Sequence, residues 1–288
     1  MSAARVLGGL TVTAARVLGG LAGSCHPGPV VAVTVLVTVL AVASGRDPAG
    51  CALVAAAVLT GQLSIGWCND AVDASRDAAA GRTGKPIVAG MVNVRTVRGA
   101  AIVALALCVP LSLASGWAAG GVHLAGVGAA WAYDLGVKAT VLSWLPYAVG
   151  FGALPAFVTL GLPGRPWPAW WAVLAAALLG VGAHLANVLP DIWADLAAGV
   201  RGLPQRLGPV LVSVLVPLPL LAATALLSFG PYGEAGVAAW IAVVAAGAVT
   251  VAGLLLGGRA PKAPFAAAIV VAAIDVALLV SNGAQLTA

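Results

Sequence analysis

Charge is scarce in this sequence. Asp and Glu supply nine of 288 residues and Lys and Arg fourteen, so that charged side chains make up 8% of the chain against 61% hydrophobic. A chain this poor in polar side chains cannot cover a water-soluble globule, which excludes the soluble fold classes and makes lipid its solvent. Cysteine is scarce as well. Cys25, Cys51, Cys68 and Cys108 form no Cys-x-x-Cys pair and lie in or beside apolar segments, which argues against a thiolate metal site or a disulfide framework and for small hydrophobes. No compact basic stretch precedes a single apolar core and cleavage site, so a signal peptide is not expected.

What is abundant is apolar sequence in long runs. A spanning helix needs about 20 residues, and runs of that order occur at 27–45, 50–69, 97–115, 117–134, 142–162, 168–190, 208–229, 235–256 and 265–286. The expected architecture is an all-α integral membrane protein with about nine transmembrane helices. With the N-terminus inside, twelve of the fourteen basic residues fall at the cytoplasmic face and only Arg46 and Arg165 outside. This is the bias that short cytoplasmic loops show, and it puts the C-terminus outside. It also accounts for the net charge of +5 without a nucleic-acid partner.

Residues 3–10 and 14–21 are the same octapeptide, Ala-Ala-Arg-Val-Leu-Gly-Gly-Leu. The spacing of eleven is close to three helical turns and stacks Arg5 over Arg16. Residues 1–25 therefore read as an N-terminal segment with the pattern of an interfacial helix, and 26–288 as a single polytopic domain.

Five of the nine acids fall in two clusters, Asp70, Asp73 and Asp77 behind Asn69, and Asp191 and Asp195 behind Asn187. Carboxylates at membrane depth cost several kcal/mol unless paired, protonated or bound to a cation. Helical offsets place each cluster on one stripe, and both stripes reach the cytoplasmic end. Two stripes of hard oxygen donors suit Mg²⁺ carrying a phosphate-bearing ligand. Arg76, Arg82, Lys85, Lys138, Arg201 and Arg206 lie close by in sequence, which fits a metal-bridged diphosphate better than a bare cation.

Asn69-Asp-x-x-Asp73-x-x-x-Asp77, the loop Gly84-Lys85-Pro86-Ile-Val-Ala-Gly90, the turn Tyr133-Asp-Leu-Gly-Val-Lys138, and Asn187-x-x-x-Asp191-x-x-x-Asp195 followed by 199–208 together resemble the UbiA superfamily of intramembrane prenyltransferases. The resemblance covers most of the chain. It implies a helical bundle around a central cavity in which Mg²⁺ bridges both acidic motifs and a prenyl diphosphate, and in which the departing diphosphate leaves an allylic cation for a small-molecule acceptor. Carried over by position, Asn69, Asp70, Asp73, Asp77, Asp191 and Asp195 are the expected metal ligands, with Asp70, Asp73, Asp191 and Asp195 the catalytic set. Lys85, Lys138, Arg201 and Arg206 are the expected diphosphate contacts. His26, Tyr133, His184 and Asn187 are the candidates for lining the cavity or meeting the acceptor. Lys85-Pro86-Ile-Val-Ala-Gly90 departs from the family's Arg-Pro-x-x-Ser-Gly, replacing a forked guanidinium with a point charge. Only His26 stands where hydroxybenzoate-prenylating members carry a basic residue for the acceptor carboxylate.

An aromatic or quinone-precursor acceptor is the first expectation. Transfer to a sugar or glycerol phosphate, and terpene cyclisation with no external acceptor, use the same apparatus. A secondary transporter also buries carboxylates in a helical bundle, but near the midplane at broken helices, whereas these clusters lie at helix ends beside basic loops. Asp134 and Lys138, four apart, have a surface ion pair as their alternative reading, and the family resemblance favours Lys138 as a diphosphate contact. Asp275 is an isolated intramembrane carboxylate. His123 reads as a hydrogen-bonded core histidine, and Trp193 as a residue able to line the cavity.

Overall fold

The computed structural model describes residues 3–231, 233–260 and 262–287, with side chains from residue 14 onward. The described residues form twelve α-helices and no strand: α1 (Ala3–Ser24), α2 (Pro27–Ala43), α3 (Pro48–Ala79), α4 (Val94–Leu113), α5 (Trp117–Leu135), α6 (Leu145–Thr159), α7 (Trp170–Val188), α8 (Ile192–Ala197), α9 (Leu203–Leu215), α10 (Pro217–Phe229), α11 (Val237–Leu256) and α12 (Ala263–Ser281). Every apolar run read from the sequence falls on one or two of these helices. Five helices are long and apolar enough to cross a membrane, or up to seven if each bent pair counts as one span, against the nine expected. The differences are local. Helix α6 has only 15 residues, with Pro146 at its start and Pro155 inside it. Run 27–45 begins at a sharp break, a bend of 64° between α1 and α2, and run 208–229 is divided by one of 45° between α9 and α10. The protein is a multi-pass membrane protein.

Local chemistry sets the helix starts. Asp47 caps α3, its side chain accepting from the Gly50 amide at 3.0 Å, with Pro48 next in line; Asn93 caps α4 by accepting from Thr96 N at 2.8 Å. Both satisfy amides that the helix itself leaves unpaired. Helix α3 runs for 32 residues, about 48 Å at 1.5 Å per residue. That exceeds the roughly 30 Å hydrocarbon core, so the first acidic motif belongs to the same continuous helix rather than to a loop beyond it.

In the bundle α3 packs on α2 and α4, α6 lies between α5 and α7, and α10 lies against α7, α11 and α12. Small residues bring the backbones close. A Cβ on Gly66 would collide with the Cys25 carbonyl, and one on Gly180 with the Tyr147 carbonyl. The first contact seats the α1–α2 junction on α3; the second lets α6 carry Tyr147 up to α7. All four cysteines are buried and free. Asp275 is fully buried and accepts from the Thr224 hydroxyl across the α10–α12 interface at 2.6 Å, so its partner is a neighbouring helix.

Arg46 and the C-terminal segment share one end of the bundle. Arg46 lies against Gly161, Gly283 packs on Ala43, and the Ala169 amide donates to the Leu286 carbonyl at 2.6 Å. The opposite end gathers both acidic motifs and their basic neighbours.

Helix α1 is tied to the loop after the first motif. Arg16 donates to the Gly90 carbonyl at 3.0 Å, Trp67 to the Leu21 carbonyl at 2.8 Å, and Gly20 and Gly23 press on Val92 and Pro86. These contacts come from the second copy of the octapeptide and the residues after it. The stacking of Arg5 over Arg16 lies outside the described side chains.

Substituting Gly66 by Val should lower the thermal midpoint of detergent-solubilised protein and cost about 1–3 kcal/mol, as overpacking does. Gly128→Ala, where a Cβ meets nothing within 4 Å, should leave the midpoint unchanged or raise it. Equal midpoints for the two variants would contradict the close approach.

Candidate functional site

The last turns of α3 carry Asn69, Asp70, Asp73 and Asp77. The second motif is built differently from the continuous stripe its offsets imply. Helix α7 ends at Val188, a 3-10 turn covers Leu189–Asp191, and α8 begins at Ile192. The cause is Pro190, which lacks the amide needed to continue the ladder. The turn leaves Asp191 with its side chain 55% exposed, while Asp195 is half-buried and accepts from the Gln205 amide at 2.8 Å.

Between these elements lies a cavity of about 660 Å³. Asn69, Asp73, Asp77, Asp191, Asp195, Lys85, Lys138, His26, Tyr133 and Asn187 all line it. Four other expected residues do not. Asp70 sits just behind the wall, 2% exposed, bound by Lys85 at 2.6 Å and by His26 at 3.1 Å. His184 is buried behind Tyr133 and Tyr147, against which its ring packs, and its Nε2 pairs with the Ser143 hydroxyl at 3.1 Å. Arg201 and Arg206 are exposed and outside the lining, the Arg206 Nε donating to the Arg201 carbonyl at 2.8 Å.

Asp73, Asp77 and Asp191 are also matched by cations, whereas Asp195 is met by the Gln205 amide. Asp73 is held by Lys138 at 2.6 Å and by Arg76 one turn along. Arg82 reaches Asp77 at 3.2 Å and Asp191 at 3.6 Å, so one guanidinium spans both motifs. Sequence reading placed Arg82 among the neighbouring basic residues without giving it a role; the bridge depends on a loop folding back over α3. The alternative reading of Asp134 and Lys138 as a surface ion pair is not realised. Lys138 turns to Asp73, and Asp134 is buried on the cavity wall, accepting from the Asn69 amide at 2.8 Å. Trp193 is 70% exposed and lies outside the lining.

Away from the charged mouth the walls become apolar. Ile65 and Gly66 precede Asn69 on α3, Gly126, Val127 and Ala130 precede Tyr133 on α5, and Gly150, Phe151 and Leu154 follow Tyr147 on α6. The chain order thus sorts the cavity into a charged end and a hydrocarbon-like end.

The donor set fits a hard divalent cation in chemistry, being all carboxylate and amide oxygen. Among the described residues no three His, Cys, Asp or Glu side chains lie close enough to cage an ion. That arrangement matches Mg²⁺, which is held by one or two carboxylates together with substrate phosphates. Separated carboxylates with interleaved cations are equipped to receive a metal-bound polyanion by exchanging partners.

Comparison with known proteins follows the same lines. The UbiA prenyltransferase family profile matches residues 30–279. A solved structure described as digeranylgeranylglyceryl phosphate synthase in membranes is similar at 15% identity, covering 93% of this chain and 99% of its own, with a TM-score of 0.68. A UbiA homologue from Aeropyrum pernix K1, in apo form, shares 22% identity over 86% of this chain and 95% of its own, at a TM-score of 0.68. A UbiA homologue from Archaeoglobus fulgidus bound to GPP and Mg²⁺ shares 16% over 91% and 99%, at 0.66. These likenesses establish a common fold. No curated protein sequence matches. By the profile match over most of its length, the chain belongs to the UbiA prenyltransferase family.

Proposed function

We propose that this protein is a Mg²⁺-dependent intramembrane prenyltransferase that moves a prenyl group from a prenyl diphosphate to a small aromatic or quinone-precursor acceptor. The observation that carries the reading is the shared mouth: Arg82 spans Asp77 and Asp191 over an apolar cavity that both motifs line. A diphosphate head with a hydrocarbon tail has the same polarity profile. The A. fulgidus homologue bound to GPP and Mg²⁺ supports the donor class. Tyr133 and Tyr147, in edge-to-face contact on the wall just inside the mouth, support an aromatic acceptor.

On this reading Asn69, Asp73, Asp77, Asp191 and Asp195 hold the metal, and Asp70 acts from behind by fixing Lys85. When bound, Mg²⁺ supplies Lewis-acid stabilisation of negative charge on the leaving diphosphate. Lys85, Lys138 and Arg82 exchange their carboxylate partners for diphosphate oxygens and neutralise the charge that grows there. The C1–O bond breaks with its electron pair on the diphosphate. The acceptor supplies the pair for the new bond to C1 and releases a proton. The apolar walls exclude water from the allylic cation in between. Arg201 and Arg206 act at the rim as electrostatic attractors for the incoming anion.

The same reading takes residues 26–288 as one polytopic domain of nine spans around a central cavity, with the N-terminus and motif loops cytoplasmic and the C-terminus outside. Helix α1 is an interfacial helix clamped through Arg16, Gly20 and Gly23 to the 86–92 loop.

Purified protein in nanodiscs should release diphosphate from a prenyl diphosphate only with Mg²⁺ and an aromatic acceptor present. Release without an acceptor, accompanied by a cyclic hydrocarbon, would assign a cyclase instead. Absence of release across donors and acceptors, from folded protein, would overturn the reading. Asp191→Asn should cut turnover by at least about 100-fold with an unchanged thermal midpoint, because this carboxylate is half-exposed. Asp70→Asn should lower both, because it leaves the Lys85 ammonium without its buried partner. A stable, fully active Asp70→Asn variant would remove Asp70 from the site.

A further inference from the structure

The apolar part of the cavity contains two polar side chains that a hydrocarbon tail does not need. Gln62 lies seven residues before Asn69 on α3, and His123 ten residues before Tyr133 on α5. At 1.5 Å per residue they stand about 10 and about 15 Å from the charged mouth. Both line the cavity. They lie on facing helices, with Gly61, the neighbour of Gln62, so close to the imidazole that a Cβ there would sit 3.5 Å from His123 Cε1.

The bonding around His123 fixes which nitrogen faces inward. The Ser112 hydroxyl back-bonds to the Cys108 carbonyl at 2.6 Å, which uses its proton, and pairs with His123 Nδ1 at 2.8 Å. Nδ1 therefore carries the hydrogen and donates to Ser112. Nε2 is left as a lone-pair acceptor with no partner among the described residues. It is also absent from the fully occluded polar atoms, as are both amide atoms of Gln62, so these groups open into the cavity. Phe157 stacks on the imidazole, with ring centroids 4.4 Å apart, and holds its plane.

A bare hydrocarbon tail covering this level would strip both groups of hydrogen-bond partners, at a desolvation cost that fully apolar walls would not incur. We propose that Gln62 and His123 form a polar subsite in the apolar half of the cavity that takes a hydroxyl group of the bound substrate, the hydroxyl donating to His123 Nε2 and accepting from the Gln62 amide. The proposal rests on the transferase reading above and specifies its substrate. Two sources share the chemistry: a hydroxyl on the acceptor, far from the carbon that is prenylated, or a hydroxyl near the free end of the prenyl chain.

Matched probes separate the sources. For the acceptor arm, 1,6-dihydroxynaphthalene, whose added hydroxyl lies on the second ring, is compared with 1-naphthol; for the donor arm, 8-hydroxygeranyl diphosphate with geranyl diphosphate. KM is measured in nanodiscs with Mg²⁺ for the wild type, His123→Leu, His123→Gln and Gln62→Leu, with thermal midpoints for each. In one arm the wild type should favour the hydroxylated probe about tenfold or more, the size of one buried hydrogen bond. His123→Leu and Gln62→Leu should erase that preference, and His123→Gln, whose side-chain oxygen reaches the place of Nε2, should restore it. A wild type that ignores the hydroxyl in both arms, or a preference that survives in both leucine variants, overturns the subsite. Mg²⁺-dependent release without hydroxyl discrimination defeats the subsite alone; no release from any pair defeats the transferase reading and the subsite with it.

Discussion

Charge compensation at one end of an apolar bundle is the constraint on which the rest depends. Every ion pair among the described residues involves an acid of the two motifs: Asp70 with Lys85 and His26, Asp73 with Lys138 and Arg76, and Asp77 and Asp191 through Arg82. Without those cations, the buried carboxylates of Asp70 and Asp77 would be too costly to keep ionised. With them, α3 continues as a helix through its acidic turns and the loop after it folds back over the cavity. The pairs also make the mouth responsive. A polyanion bringing its own cations offers each basic side chain a new partner and each carboxylate a metal, so binding replaces one set of charge pairs with another rather than exposing bare charge.

The N-terminal helix belongs to the same construction. His26 adopts a left-handed conformation at the α1–α2 bend, with φ of 57°, and from that strained corner its imidazole reaches Asp70 and comes within 3.3 Å of Lys85. The bend is held from below, where the Cys25 carbonyl rests on Gly66. Strain of this kind persists only where surroundings over-determine it, and here three elements meet at one carboxylate: the α1–α2 corner, α3 and the 84–92 loop. The apolar half of the cavity is shaped by backbone approach instead, as at Gly180, where α6 comes close enough to α7 to set Tyr147 on the wall.

Much of this was legible in the sequence because the strongest signals are local. Hydropathy located every long helix after α1, which the octapeptide repeat marked instead, and the acidic offsets on α3 survive because that helix is continuous. The second motif failed the same treatment because Pro190 sits inside it, a signal present in the sequence but outweighed by the periodic spacing. Pair choice was the least legible. Asp134 and Lys138 satisfy the i,i+4 rule, yet each finds a partner on α3, since burial rewards contacts that a helix surface alone does not reveal. Arg82 shows the same limit: a loop residue is charged in any reading, but that it spans two motifs more than a hundred positions apart is a tertiary fact. The span count stayed ambiguous because Pro and Gly breaks divide apolar runs into pieces shorter than a bilayer.

The central claim is that neither acidic motif holds a metal by itself and that a diphosphate completes the site. Mn²⁺ in place of Mg²⁺ makes this measurable by electron paramagnetic resonance on protein in nanodiscs, with and without geranyl thiolodiphosphate as an unreactive donor. The account predicts weak Mn²⁺ binding alone, and tight binding with phosphorus hyperfine coupling once the thiolodiphosphate is added. Tight binding that is indifferent to the thiolodiphosphate, or a coupled signal that persists after both Asp73 and Asp191 are replaced by Asn, would contradict it.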